Sequence, residues 1–403
     1  MKKNQKQAAI GFIFLTMLID ITGWGIIIPV IPKLIEELIH GGVSEASKYG
    51  GWLTFAYAIT QFLFAPLIGN LSDKFGRRPI ILISLFAFSM DYLLLAFAPT
   101  ITWLFFGRVI AGLTGASITT ATAYIADIST PENRAKNFGM IGAAFGLGFI
   151  IGPVLGGLLG HFGSRIPFYA AAVLCMLNFL YGYFILPESL AEENRRNFNL
   201  KRANPIGVFV NIRKRPALYG LMISLFLVYV ASHSIQGNWS YFTMYQFHWD
   251  EKMVGVSLGV IGLLVGLVQG VLIRWINPKL GNEKSIYVGL LLYMVGLLLF
   301  SIATESWMVF VFLIPYCLGG IAGPAMQAVI SSKVDATEQG EIQGTLSSLM
   351  SVSTIIGPLL MTNVFHYFTN DNAPFKFAGA PFVLGATLML FSATIAYFSF
   401  KKK

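Results

Sequence analysis

Long apolar segments alternate with short polar connections along the whole chain. A membrane-spanning helix needs about 20 mainly apolar residues, and twelve segments meet this requirement. We predict spans 1 to 12 at Ala8–Pro29, Gly51–Gly69, Pro79–Phe97, Trp103–Ala123, Asn137–Gly160, Pro167–Leu186, Ala217–Gln236, Met253–Trp275, Ser285–Ala303, Met308–Ser331, Glu341–His366 and Gly379–Phe398. The pattern therefore predicts an all-α integral membrane protein with twelve transmembrane helices.

Composition supports this prediction. The 403 residues are 55% hydrophobic and 12% charged, whereas soluble domains are about 25% charged. Cys175 and Cys317 both lie in apolar segments, so no disulfide framework is expected. The N-terminal MKKNQKQ resembles the start of a signal peptide, but the apolar segment behind it contains Asp20 and lacks a small-residue cleavage site. We expect a retained first helix.

The basic residues are distributed unequally between the two sides of the predicted spans. With a cytoplasmic N-terminus, 22 of the 28 lysines and arginines fall in cytoplasmic segments and one, Arg108, lies within a span. The positive-inside rule then predicts cytoplasmic termini in a multi-pass protein of a bacterial-type inner (plasma) membrane. The same rule accounts for the net charge of +9, so we expect no nucleic-acid partner.

The only long polar connection is Pro187–Pro216, and the segments on either side of it look alike. At a constant offset of 205, Gly76 corresponds to Gly281, and Ile-Gly-Pro-x-Leu occurs at both Ile151–Leu155 and Ile356–Leu360. We predict two six-helix, pseudo-symmetric bundles, 1–186 and 217–403, joined by a cytoplasmic linker at 187–216. Transporters built from parallel repeats bind substrate near the membrane midplane between the halves.

Between spans 2 and 3 the chain reads GNLSDKFGRRP, from Gly69 to Pro79. So short a connection predicts a tight loop with an acid embedded among cations. We expect Arg77 to pair with Asp127 at the end of span 4, and Asp73 to interact with the positive N-terminus of span 11, near Gly340–Gly344. Such contacts would form a cytoplasmic gate, and simple anchoring of the turn is the alternative. The candidate gate residues are Gly69, Asp73, Gly76, Arg77, Arg78 and Asp127.

These motifs resemble the major facilitator superfamily, and more narrowly its tetracycline/proton antiporter branch. The resemblance rests on GNLSDKFGRRP, DITGWGIIIPVIP, DYLLLAF, Gly107-Arg108, TAYIADIST, GLGFIIGPVLGG and EQGEIQGTL, and it extends over all twelve spans. It implies the major facilitator fold and proton-driven export of a small amphipathic drug or metabolite by alternating access, with no cofactor beyond the proton gradient. We expect the monomer to be functional.

Two carboxylates and one arginine fall inside the apolar spans. Asp20 lies about midway along span 1, and an acid at that depth is a functional candidate by default. Asp91 and Arg108 both lie about 10 Å from the outer ends of spans 3 and 4, so they could pair. We expect Asp20, Asp91 and Arg108 to take part in proton coupling. A structural hydrogen bond for Asp20 and a static salt bridge for the pair remain the alternatives.

Span 5 carries a small residue at every fourth position. This spacing lets helices approach closely. The same stretch matches the antiporter motif of the superfamily, which favours export over uptake. Its residues are Gly148, Gly152, Pro153, Gly156 and Gly157.

Several polar and aromatic residues on otherwise apolar spans are candidate substrate contacts, although a helix–helix hydrogen bond is an equally good explanation for each one. The candidates are Tyr57, Gln61, His233, Gln236, Trp239, Gln269, Tyr293 and Gln327. Tyr57 and Gln61 share a helix face, and His233, Gln236 and Trp239 follow at spacings of three along span 7. The tetracycline branch has a histidine in span 8 and an aspartate in span 9, where this chain has Val265 and Tyr293. We therefore do not expect tetracycline itself to be the substrate.

The leading hypothesis is a proton-coupled efflux antiporter, and the alternative is a proton-linked uptake symporter or facilitator of a small metabolite. No metal-ligand cluster, nucleophile–base pair or phosphate-binding glycine loop is recognisable in the sequence. We therefore expect neither an enzyme nor a metal site.

Overall fold

The computed structural model describes residues 3–115, 117–130, 133–198, 216–334 and 339–401. Within these ranges the chain forms helices and no strands, as the apolar pattern predicts. The α-helices are α1 Lys3–Ile27, α2 Ile31–Ile39, α3 Val43–Phe75, α4 Arg77–Ala96, α5 Ile101–Thr114, α6 Ser117–Ile128, α7 Arg134–Gly160, α8 Ile166–Ile185, α9 Pro216–Gln236, α10 Trp239–Phe247, α11 Glu251–Leu267, α12 Ile273–Ser301, α13 Ser306–Leu318, α14 Ala322–Ser332, α15 Gln339–Thr369 and α16 Ala380–Lys401. Most of the predicted linker, residues 199–215, lies outside the described ranges.

Among the described residues, eleven helical stretches are long and apolar enough to cross a membrane. One of them, Glu251–Ser301, is 51 residues long and contains both predicted spans 8 and 9. The sequence predicted a loop between those spans. The structure instead has a π-turn at Val268–Leu272 and a kink at Gly281, whose φ of 74° and ψ of 163° leave helical geometry and separate the helical residues before it from those after it. The fold is thus the predicted multi-span helical membrane protein.

The connection between spans 2 and 3 is not the loop that the sequence predicted. Helix α3 continues to Phe75, and α4 begins at Arg77. Gly76 alone separates them, with φ 105° and ψ 161°, a conformation that residues with a Cβ rarely adopt. Most of the polar motif therefore lies on the ends of two helices, which fixes the direction of its side chains.

The described chain divides into two compact units. Unit 1 holds the described residues of 1–40, 56–204 and 250–262, and unit 2 those of 41–55, 205–249 and 263–403. Each unit thus includes a short segment from the opposite half of the sequence: the start of α11 belongs to unit 1, and the start of α3 to unit 2. The predicted division into two six-helix bundles at 1–186 and 217–403 stays a prediction.

In unit 1, helix α1 packs along α7 at backbone distance. A Cβ added to Gly152 would lie 2.7 Å from the carbonyl oxygen of Thr22, and one added to Gly148 would lie 2.7 Å from the side chain of Ile21. A Cβ on Gly156 would overlap the backbone of Ile26. The small residues at every fourth position therefore do what their spacing predicted, which is to bring two helices close together.

Unit 2 is built around α9, which packs on α15 and α16. Its buried core includes a group of aromatic rings in edge-on contact, with centroids 5.2 Å apart for Trp239 and Phe300 and 4.6 Å apart for Phe242 and Phe382. Such geometry is preferred by aromatic pairs and adds to the free energy gained by burial.

Local features recur in the two units, as the internal repeat predicted. Gly281, like Gly76, combines a positive φ with an extended ψ, with φ 74° and ψ 163° against φ 105° and ψ 161°. The nine-residue helices α2 and α10 both end in a left-handed histidine, His40 with φ 51° and His248 with φ 54°. The equivalence of the two sequence halves therefore extends to unusual backbone conformations.

Candidate functional site

Asp91 and Arg108 form the ion pair that their predicted depths suggested. Oδ2 of Asp91 on α4 lies 2.6 Å from Nη2 of Arg108 on α5, and both side chains are buried. A Cβ on Gly107 would lie 2.7 Å from Oδ1 of Asp91, so the glycine before the arginine makes room for the carboxylate. No donor among the described residues reaches Oδ1. The ion pair thus satisfies one oxygen of this buried carboxylate and leaves the other without a hydrogen-bond donor among the described residues.

Asp20 belongs to the same region of unit 1. Its carboxylate is close enough to Tyr57, Tyr92 and Cys175 to interact electrostatically with each of them, and so is that of Asp91. A Cβ on Gly23, one turn after Asp20, would lie 3.5 Å from the Tyr92 hydroxyl. Asp20 and Asp91 therefore both lie within electrostatic range of the same two tyrosines.

Tyr57 and Gln61 share one face of α3, as predicted. Nε2 of Gln61 donates to the Tyr57 hydroxyl at 3.0 Å and to the carbonyl oxygen of Gly115 at 3.0 Å. Both side chains are partly exposed. They are held in place by each other and by the end of α5, and they remain candidates for substrate contact.

Arg77 is the centre of a polar cluster at the junction of α3 and α4. Its guanidinium lies 2.6 Å from Oδ1 of Asp73 and 3.1 Å from Oδ2 of Asp127, and it donates to the Ser72 hydroxyl at 3.0 Å. We call Ser72, Asp73, Arg77 and Asp127 the Arg77 cluster. The predicted Arg77–Asp127 pair is present and ties the ends of α3, α4 and α6 together.

Gly69, Gly76 and Arg78, the other three motif residues at this junction, do not belong to the cluster. Arg78 donates instead to the carbonyl oxygen of Tyr183 on α8 at 2.7 Å. A Cβ on Gly69 would meet nothing within 4 Å. The predicted interaction of Asp73 with the start of span 11 stays a prediction.

Sequence reasoning missed the role of Glu188. Its carboxylate accepts the main-chain N–H groups of Arg77 at 2.8 Å and Arg78 at 3.2 Å, which are the first two residues of α4. It also accepts those of Ser189 and Leu190. Helix N-termini leave N–H groups without helical partners and favour negative charge. The sequence does show an acid just after span 6, but the start of α4, which this acid contacts, is distant in sequence.

The second-half candidates occupy varied environments. Trp239 is 1% exposed and packs on Phe300. The sequence predicted that it follows His233 and Gln236 along one helix. This is wrong, because α9 ends at Gln236 and Trp239 begins α10. His233 is buried, and its ring lies so close to Gly357 on α15 that a Cβ there would overlap it. In this structure His233 and Trp239 are packing residues.

The remaining candidates of unit 2 carry amide and phenol groups. Nε2 of Gln327 on α14 donates to the hydroxyl of Tyr229 on α9 at 2.9 Å. Tyr293 lies against Tyr316, with ring centroids 5.1 Å apart. Gln236 and Gln269 are exposed, the latter in the π-turn after α11. These groups can hydrogen-bond or stack with a substrate without carrying a charge.

Comparison with known families identifies the fold. A family model described as Major Facilitator Superfamily matches residues 13–358, and a second match covers 221–403. The chain belongs to the Major Facilitator Superfamily. It is a multi-pass membrane transporter, and its substrate is a small molecule.

Within the superfamily, the chain is similar to proteins named for tetracycline resistance. It is 39% identical over 390 residues to tetracycline resistance protein class C of Escherichia coli, covering 97% of this chain and 96% of the relative. It is 41% identical over 343 residues to the class E protein of Escherichia coli, covering 85% and 84%. These similarities place it in the drug:proton antiporter-like branch that the motifs indicated.

Solved structures of the superfamily share its fold. The human organic anion transporter MFSD10 (TETRAN) superimposes with a TM-score of 0.71 at 23% identity, over 97% of this chain and 99% of that chain. At this identity the likeness establishes the major facilitator fold alone.

Proposed function

We propose that this transporter exports a small amphipathic drug or metabolite in exchange for protons, by alternating access in a bacterial-type inner membrane with both termini cytoplasmic. The observation that carries the proposal is the buried Asp91–Arg108 pair, in which Oδ2 of Asp91 lies 2.6 Å from Arg108 and Oδ1 has no hydrogen-bond donor among the described residues. Similarity to the tetracycline resistance proteins supports export as the direction.

The pair suits proton coupling because a buried carboxylate depends strongly on its partner. With Arg108 close by, the ionised form of Asp91 is stabilised; when the arginine moves away, the buried charge becomes costly and the carboxylate gains a proton. Asp20 would act as the second carboxylate, through the tyrosines that it shares with Asp91. The cycle needs no cofactor and no enzymatic step, and a monomer contains every group involved.

In the proposed mechanism the Arg77 cluster and Glu188 act on the conformational equilibrium rather than on the substrate. Contacts formed in one state and broken in the other shift the population between the two. Candidate substrate contacts are Tyr57 and Gln61 from unit 1, and Gln269, Tyr293 and Gln327 from unit 2. Because these groups of unit 2 are uncharged, we expect a lipophilic substrate that offers hydrogen bonds and aromatic surface.

A drug and metabolite panel in efflux-deficient cells tests the proposal. Wild type should confer resistance to at least one compound, and Asp20→Asn and Asp91→Asn should each lower that resistance about tenfold or more. Glu192→Gln is the matched control, because the Glu192 side chain is 87% exposed and should not matter. Tetracycline belongs in the panel, since relatives carry its name whereas Val265 and Tyr293 depart from that branch.

Inside-out vesicles then decide between export and the alternative, proton-linked uptake. Export predicts that an imposed proton gradient, acid inside the vesicle, drives the compound into the lumen. Gradient-driven movement out of the lumen would establish the uptake reading instead. If wild type and both aspartate variants transported equally, at equal protein amounts in the membrane, the assignment of Asp20 and Asp91 to proton coupling would be wrong.

A further inference from the structure

Unit 2 contains a polar pocket that the proposed transport cycle does not use. It lies where the α2–α3 and α15–α16 connections meet the end of α10, and its volume is about 710 Å³. The predicted orientation places this end on the extracytoplasmic side. His366, near the end of α15, lines the pocket together with Ser44 and Thr369.

Hydrogen bonds in this pocket join α3 to α15. Nδ1 of His366 lies 3.0 Å from the main-chain oxygen of Ser44 and 3.2 Å from its hydroxyl. A carbonyl oxygen can only accept, so Nδ1 carries the hydrogen and Nε2 is the bare nitrogen of the neutral ring. The Ser44 hydroxyl is 2.7 Å from that of Thr369. We call Ser44, His366 and Thr369 the His366 latch.

The ring is accessible to the surrounding medium. His366 is partly exposed, and Nε2 makes no hydrogen bond within the part of the chain that the structure describes. An imidazole is the side chain whose charge changes most readily between pH 5 and 8. Protonation at Nε2 leaves the Nδ1 hydrogen bond in place and makes it charge-assisted, hence stronger.

Other charged and titratable groups line the same pocket. Helix α3 contributes Glu45, Lys48 and Tyr49, while Tyr245 and His248 come from the end of α10. The segment after α15 contributes Asp371 and Lys376.

Among these groups Lys376 is occupied locally, since it donates to the carbonyl oxygen of Thr369 at 3.2 Å and lies 3.3 Å from Asp371.

We propose that His366 binds a proton at Nε2 and thereby tightens the contact between α3 and α15, so that external acid closes the latch. In a cell with an acidic exterior, the segment Val43–Phe55 of α3 would be held against α15, and a neutral exterior would weaken this contact. The inference goes beyond the proposed transport cycle, because the latch responds to protons without substrate.

Spin labels on α3 and α15 can measure the latch directly. Trp52→Cys and Tyr367→Cys place labels at positions that are 43% and 57% exposed and outside the latch, while the native Cys175 and Cys317 are buried. Electron paramagnetic resonance in nanodiscs, without substrate or gradient, gives the population at short distance. Between pH 8 and pH 5.5 this population should rise about fivefold, the gain expected when a neutral hydrogen bond becomes charge-assisted.

Variants separate the latch from general effects of acid. His366→Gln and His366→Asn keep an N–H donor but do not titrate, so the distance should become independent of pH. His161→Gln is the matched control: His161 is the counterpart at an offset of 205, is exposed, and should leave the pH response intact. Ser44→Ala keeps the main-chain carbonyl acceptor, so this variant should also retain the pH response.

A wild-type distance that does not change with pH would overturn the proposal, as would a response that survives in both His366 variants or disappears in His161→Gln. Because the measurement involves no transport, these outcomes are separate from success or failure of the efflux experiments.

Discussion

Asp91 shows how the surroundings of a single residue determine its chemistry. An isolated carboxylate buried in a membrane helix is costly, and a partner that neutralises it is therefore common. Here Arg108 neutralises one oxygen, and Gly107 leaves space beside the other. The sequence predicted the pairing from depth alone. It could not predict the oxygen that lacks a donor among the described residues, because that depends on the packing of Gly107 against the carboxylate.

Glu36 on α2, outside the membrane spans, gives a pH-dependent prediction at the same scale. Burial raises its pKa above the usual value of 4.5, Lys33 opposes this, and Glu251 and Glu37 add to it. A raised carboxyl pKa means that the folded state binds the proton more tightly than the unfolded state. Stability is therefore lost as pH rises from about 4.5 through the folded-state pKa.

Glu36→Gln should thus raise the midpoint of thermal unfolding in detergent at pH 7, with a smaller gain at pH 4.5. Glu192→Gln is the control, since the Glu192 side chain is 87% exposed and is not among the groups that shift the Glu36 pKa. A gain from Glu36→Gln that is the same at both pH values would contradict the explanation.

At the scale of elements, helices α1 and α7 approach closely because α7 presents a row of glycines. The sequence predicted such a face from spacing, and the structure identifies its partner. Not every glycine of α7 belongs to the contact, however. A Cβ on Gly146 would meet nothing within 4 Å, whereas one on Gly156 would overlap the backbone of Ile26.

Two alanine substitutions on α7 should therefore have opposite effects. Gly156→Ala should destabilise the protein by about 1–3 kcal/mol, because backbone atoms must move apart to admit the methyl group. Gly146→Ala should be neutral or stabilise by up to about 1 kcal/mol, from helix propensity alone. Chemical denaturation in mixed micelles measures both, and equal losses for the two variants would show that α1–α7 contact is not the cause.

The junction of α3 and α4 gives a second comparison between elements. Gly76 and Gly281 have similar backbone angles, but a Cβ on Gly76 would overlap the Glu188 carboxylate, and one on Gly281 would meet nothing within 4 Å. Alanine at either position costs about 1–3 kcal/mol, because a positive φ combined with a ψ near 160° is a conformation that only glycine readily adopts. Only at Gly76 should it also disturb the acid that caps α4.

We therefore expect Gly76→Ala to lower both stability and transport more than Gly281→Ala. Gly69→Ala, at an open position without a positive φ, serves as the control and should be silent. Unfolding midpoints and efflux rates at matched membrane amounts provide the measurement. Equal losses in the Gly76 and Gly281 variants would mean that displacing Glu188 has no consequence.

At the scale of the whole molecule, the sequence was sufficient for the fold class and the positions of the apolar segments, since both follow from segment length and hydropathy. The Arg77–Asp127 and Asp91–Arg108 pairs were also predictable, because opposite charges stood at matching depths. Helix ends were not predictable in the same way. Helix α3 continues through polar residues to Phe75, where composition indicated a loop. Contacts of Glu188, His233 and His366 depend on long-range packing, which one sequence does not reveal.

The single residue between α3 and α4 makes this junction sensitive to changes in chain length. Gly76 alone connects the two helices, so no further loop residues are present to absorb an inserted or deleted residue. Either change would shift the start of α4 relative to Asp127 and Glu188, which both contact Arg77. The start of α4 is therefore determined by the length of its connection as well as by its contacts.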